Sequence, residues 1–308
     1  MYPVNQKNMD KIKLANGLEF SRIIHGQMRI PSWGMNTQQL LKFIEQIMEL
    51  GIDTFDNADI YGNYSCESLV GDAFALKPEL RKQMTIVTKC GINILSNKFP
   101  HKKIQYYDYR AEYIIQEAEN SLRNLRTDYL DVLLLHRPSD ILNPHEVAEA
   151  FGKLRREGKV RYFGVSNFLP HDVSMLQSYL DDKLVTNQIE ISPYRIIHFE
   201  NGNMNYCLEK NLKPMAYCPI ADGRLATPTD EKSERIVKVL HEIADELGVS
   251  EIDSVIYAWL FKHSSVIMPI NGSGKIERIR RSVEAMKLEL TVEQWSRIYV
   301  ASRGVALP

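Results

Sequence analysis

The spacing of apolar residues changes character after the first twenty positions. Lys11-Ile12-Lys13-Leu14 alternates polar and apolar, Asn16-Gly17 is a strong two-residue turn signal, and Leu18-Glu19-Phe20 returns, which predicts a β-hairpin. From there, short apolar runs alternate with longer segments of helical period. The runs predict strands over Ile23–Gly26, Ile52–Asp56, Met84–Lys89, Tyr129–His136, Val160–Val165, Val185–Ile189, Lys213–Tyr217 and Val266–Ile270. Thr37 is expected to cap a helix with Leu40, Ile44, Ile47 and Met48 on one face and Gly51 as its stop. Further helices are predicted over Ser65–Leu76, Ala111–Arg126, Pro144–Gly158, His171–Leu180, Met204–Asn211, Arg235–Leu247, Ile252–Phe261, Ile276–Met286 and Thr291–Ala301.

Strands buried on both faces and joined by helices form parallel sheets. Eight successive βα units close into a barrel, so the expected fold is α/β, a single (β/α)₈ TIM barrel whose N-terminal hairpin closes the bottom. No Gly/Ser-rich linker or composition break interrupts the 308 residues, so one domain over 1–308 is expected.

Composition narrows the function by exclusion. The 38 Lys+Arg residues nearly balance the 39 Asp+Glu, and a net charge of −1 gives no reason to expect nucleic-acid or anionic-membrane partners. The longest apolar run, Val255–Phe261, is far too short to span a bilayer, and residues 1–6 lack the pattern of a secretory signal. Cys66, Cys90, Cys207 and Cys218 are scattered with no CxxC, which suits a reduced cytoplasmic protein.

In such a barrel the active site lies at the C-terminal ends of the strands. Those positions hold Asp56 with Asn57 and Tyr61, then Lys89, His136, Ser166-Asn167, Gln188 with Glu190, Tyr217, and Asn271-Gly272-Ser273-Gly274-Lys275. Each has a plain alternative: Asp56 as a loop cap, Tyr61 as a surface aromatic, Lys89 as a solvated strand end, His136 as a satisfied core histidine. Their collection on one rim points to function.

Here the chain resembles the aldo-keto reductase family. The motifs are Gly51-Ile52-Asp53-Thr54-Phe55-Asp56-Asn57-Ala58-Asp59-Ile60-Tyr61-Gly62, Thr88-Lys89-Cys90-Gly91, Leu135-His136-Arg137-Pro138, Gly164-Val165-Ser166-Asn167-Phe168, Thr186-Asn187-Gln188, Ala216-Tyr217-Cys218-Pro219 and Gly272-Ser273-Gly274-Lys275-Ile276-Glu277-Arg278. Ile270–Arg280 and Thr291–Arg297 resemble the bacterial YdhF-type oxidoreductases.

The resemblance implies reversible NADPH-dependent reduction of aldehydes and ketones to alcohols. It implies a catalytic tetrad of Asp56, Tyr61, Lys89 and His136, with Tyr61 as proton donor. A free tyrosine has a pKa near 10, and lowering it by about 2–3 units requires roughly 3–4 kcal/mol. A Lys89 ammonium about 4 Å away supplies about 4 kcal/mol at an effective dielectric near 20. Asp56 would keep Lys89 charged and oriented, and His136 would hydrogen-bond the substrate carbonyl.

By the same resemblance, Ser166, Asn167 and Gln188 hold the nicotinamide carboxamide and Tyr217 stacks on its ring. Asp222-Gly223-Arg224-Leu225 passes over the pyrophosphate, and Ser273, Lys275 and Arg278 meet the adenosine 2′-phosphate. A loop running into a helix N-terminus suits a phosphate, and the local excess of Lys275, Arg278, Arg280, Arg281 and Lys287 favours NADPH over NADH. Strand-end capping and a solvated basic face are the alternatives. Three positions depart from the family pattern: Cys218 for a serine, Ser139 for an aspartate, and Ser282 for an asparagine near the adenine.

Other motifs fail. Pro269 and Ile276 break a P-loop reading of Gly272-Ser273-Gly274-Lys275, no GxGxxG is present, and Glu149 and Asp245 replace the second histidine of a zinc helix, so no metal is expected. An NADP(H)-binding regulatory protein with little turnover is the alternative function; the roughly ten-residue N-terminal segment offers no partner-binding extension. The expected partner is a small carbonyl or alcohol. Its identity rests with Gln27–Asn36, Asn93–Tyr109 and Tyr194–Asn203, whose Phe99, Tyr106, Tyr107, Tyr109 and Tyr194 either line a pocket or pack against the rim. The oligomeric state is left open, leaning to a monomer.

Overall fold

The computed structural model describes residues 9–308, so the reading of residues 1–6 lies outside the described residues. The hairpin strands are β1 (Lys11–Ala15) and β2 (Leu18–Ser21). Then come β3 (Ile24–Gly26), β4 (Thr54–Asp56), β5 (Thr85–Cys90), the small strands β6 (Ile92–Asn93) and β7 (Tyr106–Tyr107), β8 (Leu130–Leu135), β9 (Val160–Ser166), β10 (Asn187–Glu190), β11 (Met215–Tyr217) and β12 (Met268–Asn271). Strands β3, β4, β5, β8, β9, β10, β11 and β12 follow one another around a closed barrel, as the alternating pattern predicts. β6 and β7 form a separate antiparallel pair.

The chain divides into two compact units: one runs to Asn187 and takes back Gly272–Gly274, and the other comprises Gln188–Asn271 and Lys275–Pro308. In the first unit β3, β4, β5, β8 and β9 pair in parallel. β8 is buried along its whole length, as a strand covered by helices on its outer face must be. Helix Ala111–Leu125 packs against β5 and helix Pro144–Arg156 against β9, the strands on either side of β8. The hairpin lies at the N-terminal ends of the strands. Ser21 N donates to Thr54 Oγ1 at 2.9 Å at the start of β4, and Tyr162 near the start of β9 donates to Asn16 O at 2.5 Å.

In the second unit β10, β11 and β12 pair in parallel. Helix Glu231–Leu247 opens on a reciprocal cap between Asp230 and Ser233 and ends on Gly248 at φ +67°. Trp259 and Trp295 stack at 5.2 Å between ring centroids, and each indole N–H donates to the other's backbone carbonyl, joining helix Ile252–Phe261 to helix Val292–Arg303.

Most differences from the sequence reading concern element ends. The first helix is capped by Asn36, whose side chain accepts from Gln39 N, so Thr37 is the first helical residue. Several strands are shorter than their apolar runs. Hydrophobicity persists into the flanking turns, which are also buried, whereas ladder pairing stops earlier. The β6–β7 pair and the single turn Ile197–Glu200 carry too few residues to show a period.

Candidate active site

Three neighbouring strands of the first unit, β4, β5 and β8, end at or next to the candidate residues Asp56, Lys89 and His136. Along β5, alternation sends Thr88 outward, where its hydroxyl donates to Glu67 Oε1 at 2.6 Å, and turns Lys89 to the opposite face. Lys89 is fully buried. Its Nζ donates to Asp56 Oδ1 at 2.7 Å, Asp56 Oδ2 at 2.9 Å and the Asn57 carbonyl at 2.7 Å, and lies 3.0 Å from Tyr61 OH. An ammonium has no lone pair, so Tyr61 accepts in this contact and its own proton is directed elsewhere. Burial lowers the Lys89 pKa, and the charge and hydrogen bonds of Asp56 pull it back up, with Asp59 and Glu67 adding to that pull. Three carboxylates therefore act on this lysine, where the sequence points to Asp56.

His136 follows β8. Its backbone N–H donates to Cys90 O at 3.0 Å, and its ring meets the Tyr61 ring edge-on, with centroids 5.9 Å apart. Burial, then the charges of Lys89 and Arg137, hold the imidazole well below its ordinary pKa, so it is neutral at physiological pH. Its Nδ1 is buried without a hydrogen-bond partner. A bare lone pair there costs less than a bare N–H, which assigns the ring proton to Nε2. Tyr109 packs beneath this loop. Its hydroxyl donates to Arg137 O at 2.6 Å and accepts from Arg137 N at 3.0 Å. Gly91, at φ +110°, lies against its ring, where a Cβ would come within 2.0 Å.

Beyond β9, Asn167 adopts φ +64°, and its side-chain amide donates to Ser166 Oγ at 2.9 Å and to His136 O at 3.3 Å. Also in the first unit, the Gly272–Gly274 backbone is pressed onto the end of β3. His25 Nε2 lies 3.3 Å from Ser273 O, and a Cβ on Gly274 would sit 2.5 Å from the Trp33 ring. His25 is enclosed by Trp33, Phe43 and Phe55, and burial lowers its pKa to about 4. Neither His25 nor the Asn57 carbonyl is signalled by the sequence. His25 lies inside an apolar strand, and a backbone acceptor has no residue signature.

The second unit carries the remaining predicted residues. Gln188 is buried on β10, with its amide 3.8 Å from Met215 Sδ. Tyr217 closes β11, and Cys218 Sγ donates to Asp222 Oδ1 at 3.2 Å. Gly223 has φ +92° with open space where a Cβ would stand, Leu225 is fully buried, and the Arg224 guanidinium lies 5.4 Å from the Tyr194 ring centroid. Lys275 stands at the N-cap of helix Ile276–Glu284, whose first turn no side chain caps, and Arg278 lies in that turn. Arg281 is bound to Asp253 at 3.0 Å and Arg280 faces Glu277 at 3.5 Å, so both have acidic partners. Ser282 is fully buried, accepts from Asn271 Nδ2 at 3.0 Å and donates to Ile279 O at 2.7 Å, so its hydroxyl serves the packing of its own helix.

These features fit a phosphate-bearing dinucleotide. A glycine opens the 222–225 turn, and an uncapped helix start carries two basic residues. Among the described residues no group of three or more His, Cys, Asp or Glu side chains is placed to hold a metal ion, and no helix is long and apolar enough to cross a membrane.

The model of the Aldo/keto reductase family matches residues 22–302. The chain belongs to this family. It is 47% identical to the uncharacterized oxidoreductase YcsN of Bacillus subtilis, covering 97% of this chain and 100% of that protein. It is 44% identical to the oxidoreductase YdhF of Escherichia coli, with 97% and 100% covered. A 6-dehydroglucose reductase of Agrobacterium fabrum is 37% identical over 96% of this chain and 99% of its own length. The solved glycerol dehydrogenase of Gluconobacter oxydans shares the fold with a TM-score of 0.83 at 23% identity, with 97% of each chain covered. This aldo/keto reductase is therefore an oxidoreductase on a TIM barrel, from a family that acts on small carbonyl compounds.

Proposed function

We propose that this aldo/keto reductase reduces aldehydes and ketones to alcohols, reversibly, with NADPH as cofactor and Tyr61 as the proton donor. The observation that carries the reading is the Lys89 ammonium, buried against Asp56 and 3.0 Å from the Tyr61 hydroxyl.

When bound, the nicotinamide supplies the hydride that reduces the carbonyl carbon. The chain's own residues manage the oxygen. Tyr61 gives its proton to the carbonyl oxygen as negative charge develops there. The phenolate left behind faces Lys89 Nζ at 3.0 Å, an attraction of roughly 5 kcal/mol at an effective dielectric near 20. Asp56 spans the same ammonium with both oxygens and fixes its direction. Neutral His136, protonated on Nε2, donates to the substrate oxygen and sets its approach to Tyr61.

Ser166, Asn167, Gln188 and Tyr217 are proposed to hold the nicotinamide, Gly223, Arg224 and Leu225 to cover the pyrophosphate, and Ser273, Lys275 and Arg278 to meet the 2′-phosphate. The basic residues at the start of helix Ile276–Glu284 support NADPH over NADH. On this reading residues 1–308 work as one catalytic domain. Four free cysteines, three of them buried, support a reducing, cytoplasmic setting.

A panel of aldehydes, ketones and oxidised sugars assayed with NADPH and with NADH tests the proposal. The sugars belong in it because relatives are named 6-dehydroglucose reductases. Turnover of several carbonyls with NADPH preferred is expected. No cofactor oxidation across the panel would overturn the enzymatic reading in favour of a regulatory, cofactor-sensing protein.

A further inference from the structure

The backbone directly after Tyr61 is wound the wrong way for three residues. Gly62, Asn63 and Tyr64 have φ of +58°, +55° and +60°. Left-handed residues normally occur singly, and for a bulky side chain such as tyrosine the conformation is unfavourable. Each non-glycine residue held there costs about 1–3 kcal/mol and persists only where its surroundings over-determine it. Gly62 is itself enclosed: a Cβ would come within 2.7 Å of Cys66 Sγ and 2.8 Å of Pro31 and Ser65 Oγ.

The side-chain grip on Asn63 and Tyr64 comes largely from one segment, residues 94–102. Ile94 N donates to Tyr64 OH at 3.2 Å, Lys98 Nζ donates to Tyr64 O at 3.0 Å, and Asn63 Nδ2 donates to Asn97 Oδ1 at 3.1 Å. Phe99 meets the Tyr64 ring edge-on, with centroids 4.9 Å apart. Lys102 Nζ stands over Phe99 at 4.2 Å and is anchored to Asn93 Oδ1 of β6 at 2.6 Å. Just after the run, Ser65 Oγ donates to Gly62 O at 2.6 Å.

We infer that residues 94–102 act as a clamp that stores strain in the Gly62–Tyr64 backbone and thereby places the Tyr61 hydroxyl on Lys89, with Tyr64, Lys98 and Phe99 as positioning residues. A segment that merely packed on the surface would have no reason to grip both the backbone and the side chain of the strained residue. If Tyr64 relaxed to an ordinary conformation, the turn beginning at Tyr61 would open and its hydroxyl would leave Lys89. The inference rests on the proposed role of Tyr61.

The double variant Lys98→Ala/Phe99→Ala, at exposed and half-buried positions, removes the grip and leaves Tyr64 in place. The clamp predicts a kcat at least about tenfold lower, as sub-ångström to ångström misplacement of a reacting group produces. NADPH Kd and aldehyde KM should stay within about threefold of the parent, the loss being confined to the chemical step. Adding Tyr64→Gly to that background should recover most of kcat, because glycine adopts φ +60° without strain and needs no grip to hold it. Phe99→Leu, which loses the ring contact alone, should lower kcat in the same selective way and decides the matter if the double variant does not fold. A kcat within twofold of the parent in the folded double variant or in Phe99→Leu, or no recovery on adding Tyr64→Gly, would overturn the clamp while a dead Tyr61→Phe left the reaction assignment standing. Full turnover in Tyr61→Phe would overturn both.

Discussion

Lys89 Nζ lies 3.0 Å from the Tyr61 hydroxyl while both Asp56 oxygens hold it from the other side at 2.7 and 2.9 Å. The ammonium thus has one face neutralised and one face directed at the proposed acid. Lys89→Met removes the charge that faces the Tyr61 hydroxyl, so kcat for a reactive aldehyde is expected to fall by about 10²–10⁴. Asp56→Asn leaves the lysine bound to the Asn57 carbonyl but without its nearest carboxylate, so burial lowers its pKa further. Its kcat should fall less than that of Lys89→Met, and the loss should deepen as pH rises. Steady-state kinetics at two pH values check both.

His136 is held well below its ordinary pKa by burial and by Lys89 and Arg137. It is therefore already neutral at pH 6.5, and its protonation belongs to much lower pH. The kcat profile from pH 5.5 to 8 should show no acid limb from this imidazole. A limb near pH 6.5 that disappears in His136→Gln would contradict the assignment of a neutral donor.

Gly274 leaves no room for a side chain, since a Cβ would meet the Trp33 ring at 2.5 Å. Gly274→Ala should push the 272–274 backbone off β3, raising KM for NADPH by about tenfold through a misplaced Ser273 while kcat at saturation changes little. Adding Trp33→Ala removes the obstruction, so the double variant should bind NADPH more tightly than Gly274→Ala alone. A strictly additive loss would contradict the steric account.

The barrel was legible because its evidence in the chain is repeated: eight apolar runs separated by helical periods, with Asp56, Lys89 and His136 each falling at a strand's end. The candidate site residues were named through motifs that resemble those of a family. What could not be read was what the backbone does between them. The left-handed run at Gly62–Tyr64 has no compositional signature beyond its glycine, and its clamp begins 30 residues beyond Tyr64. His25 looked like part of an apolar strand, and its partner Ser273 is 248 positions distant. Ser282 reads as a substitution at a ligand-facing position until Asn271 is found beside it.

His25 also predicts how stability depends on pH. Its pKa falls from 6.5 in the open chain to about 4 in the fold because burial disfavours the charged ring. Below pH 6.5 the unfolded chain binds a proton that the native state refuses, so this contribution is complete above that pH and is lost as pH falls toward 4. Between pH 7 and 5 it amounts to about 2 kcal/mol. Denaturant titrations should show a stability loss over that interval that is smaller by about this amount in His25→Gln. An equal loss in both proteins would contradict it.

Delivery of the proton by Tyr61 is tested by Tyr61→Phe, which deletes a single oxygen and keeps the ring that meets His136 edge-on. Single-turnover reduction of a reactive aldehyde by the NADPH-loaded variant should be slower by at least about 10², with NADPH affinity within a few-fold of the parent. A single-turnover rate equal to that of the parent would contradict it.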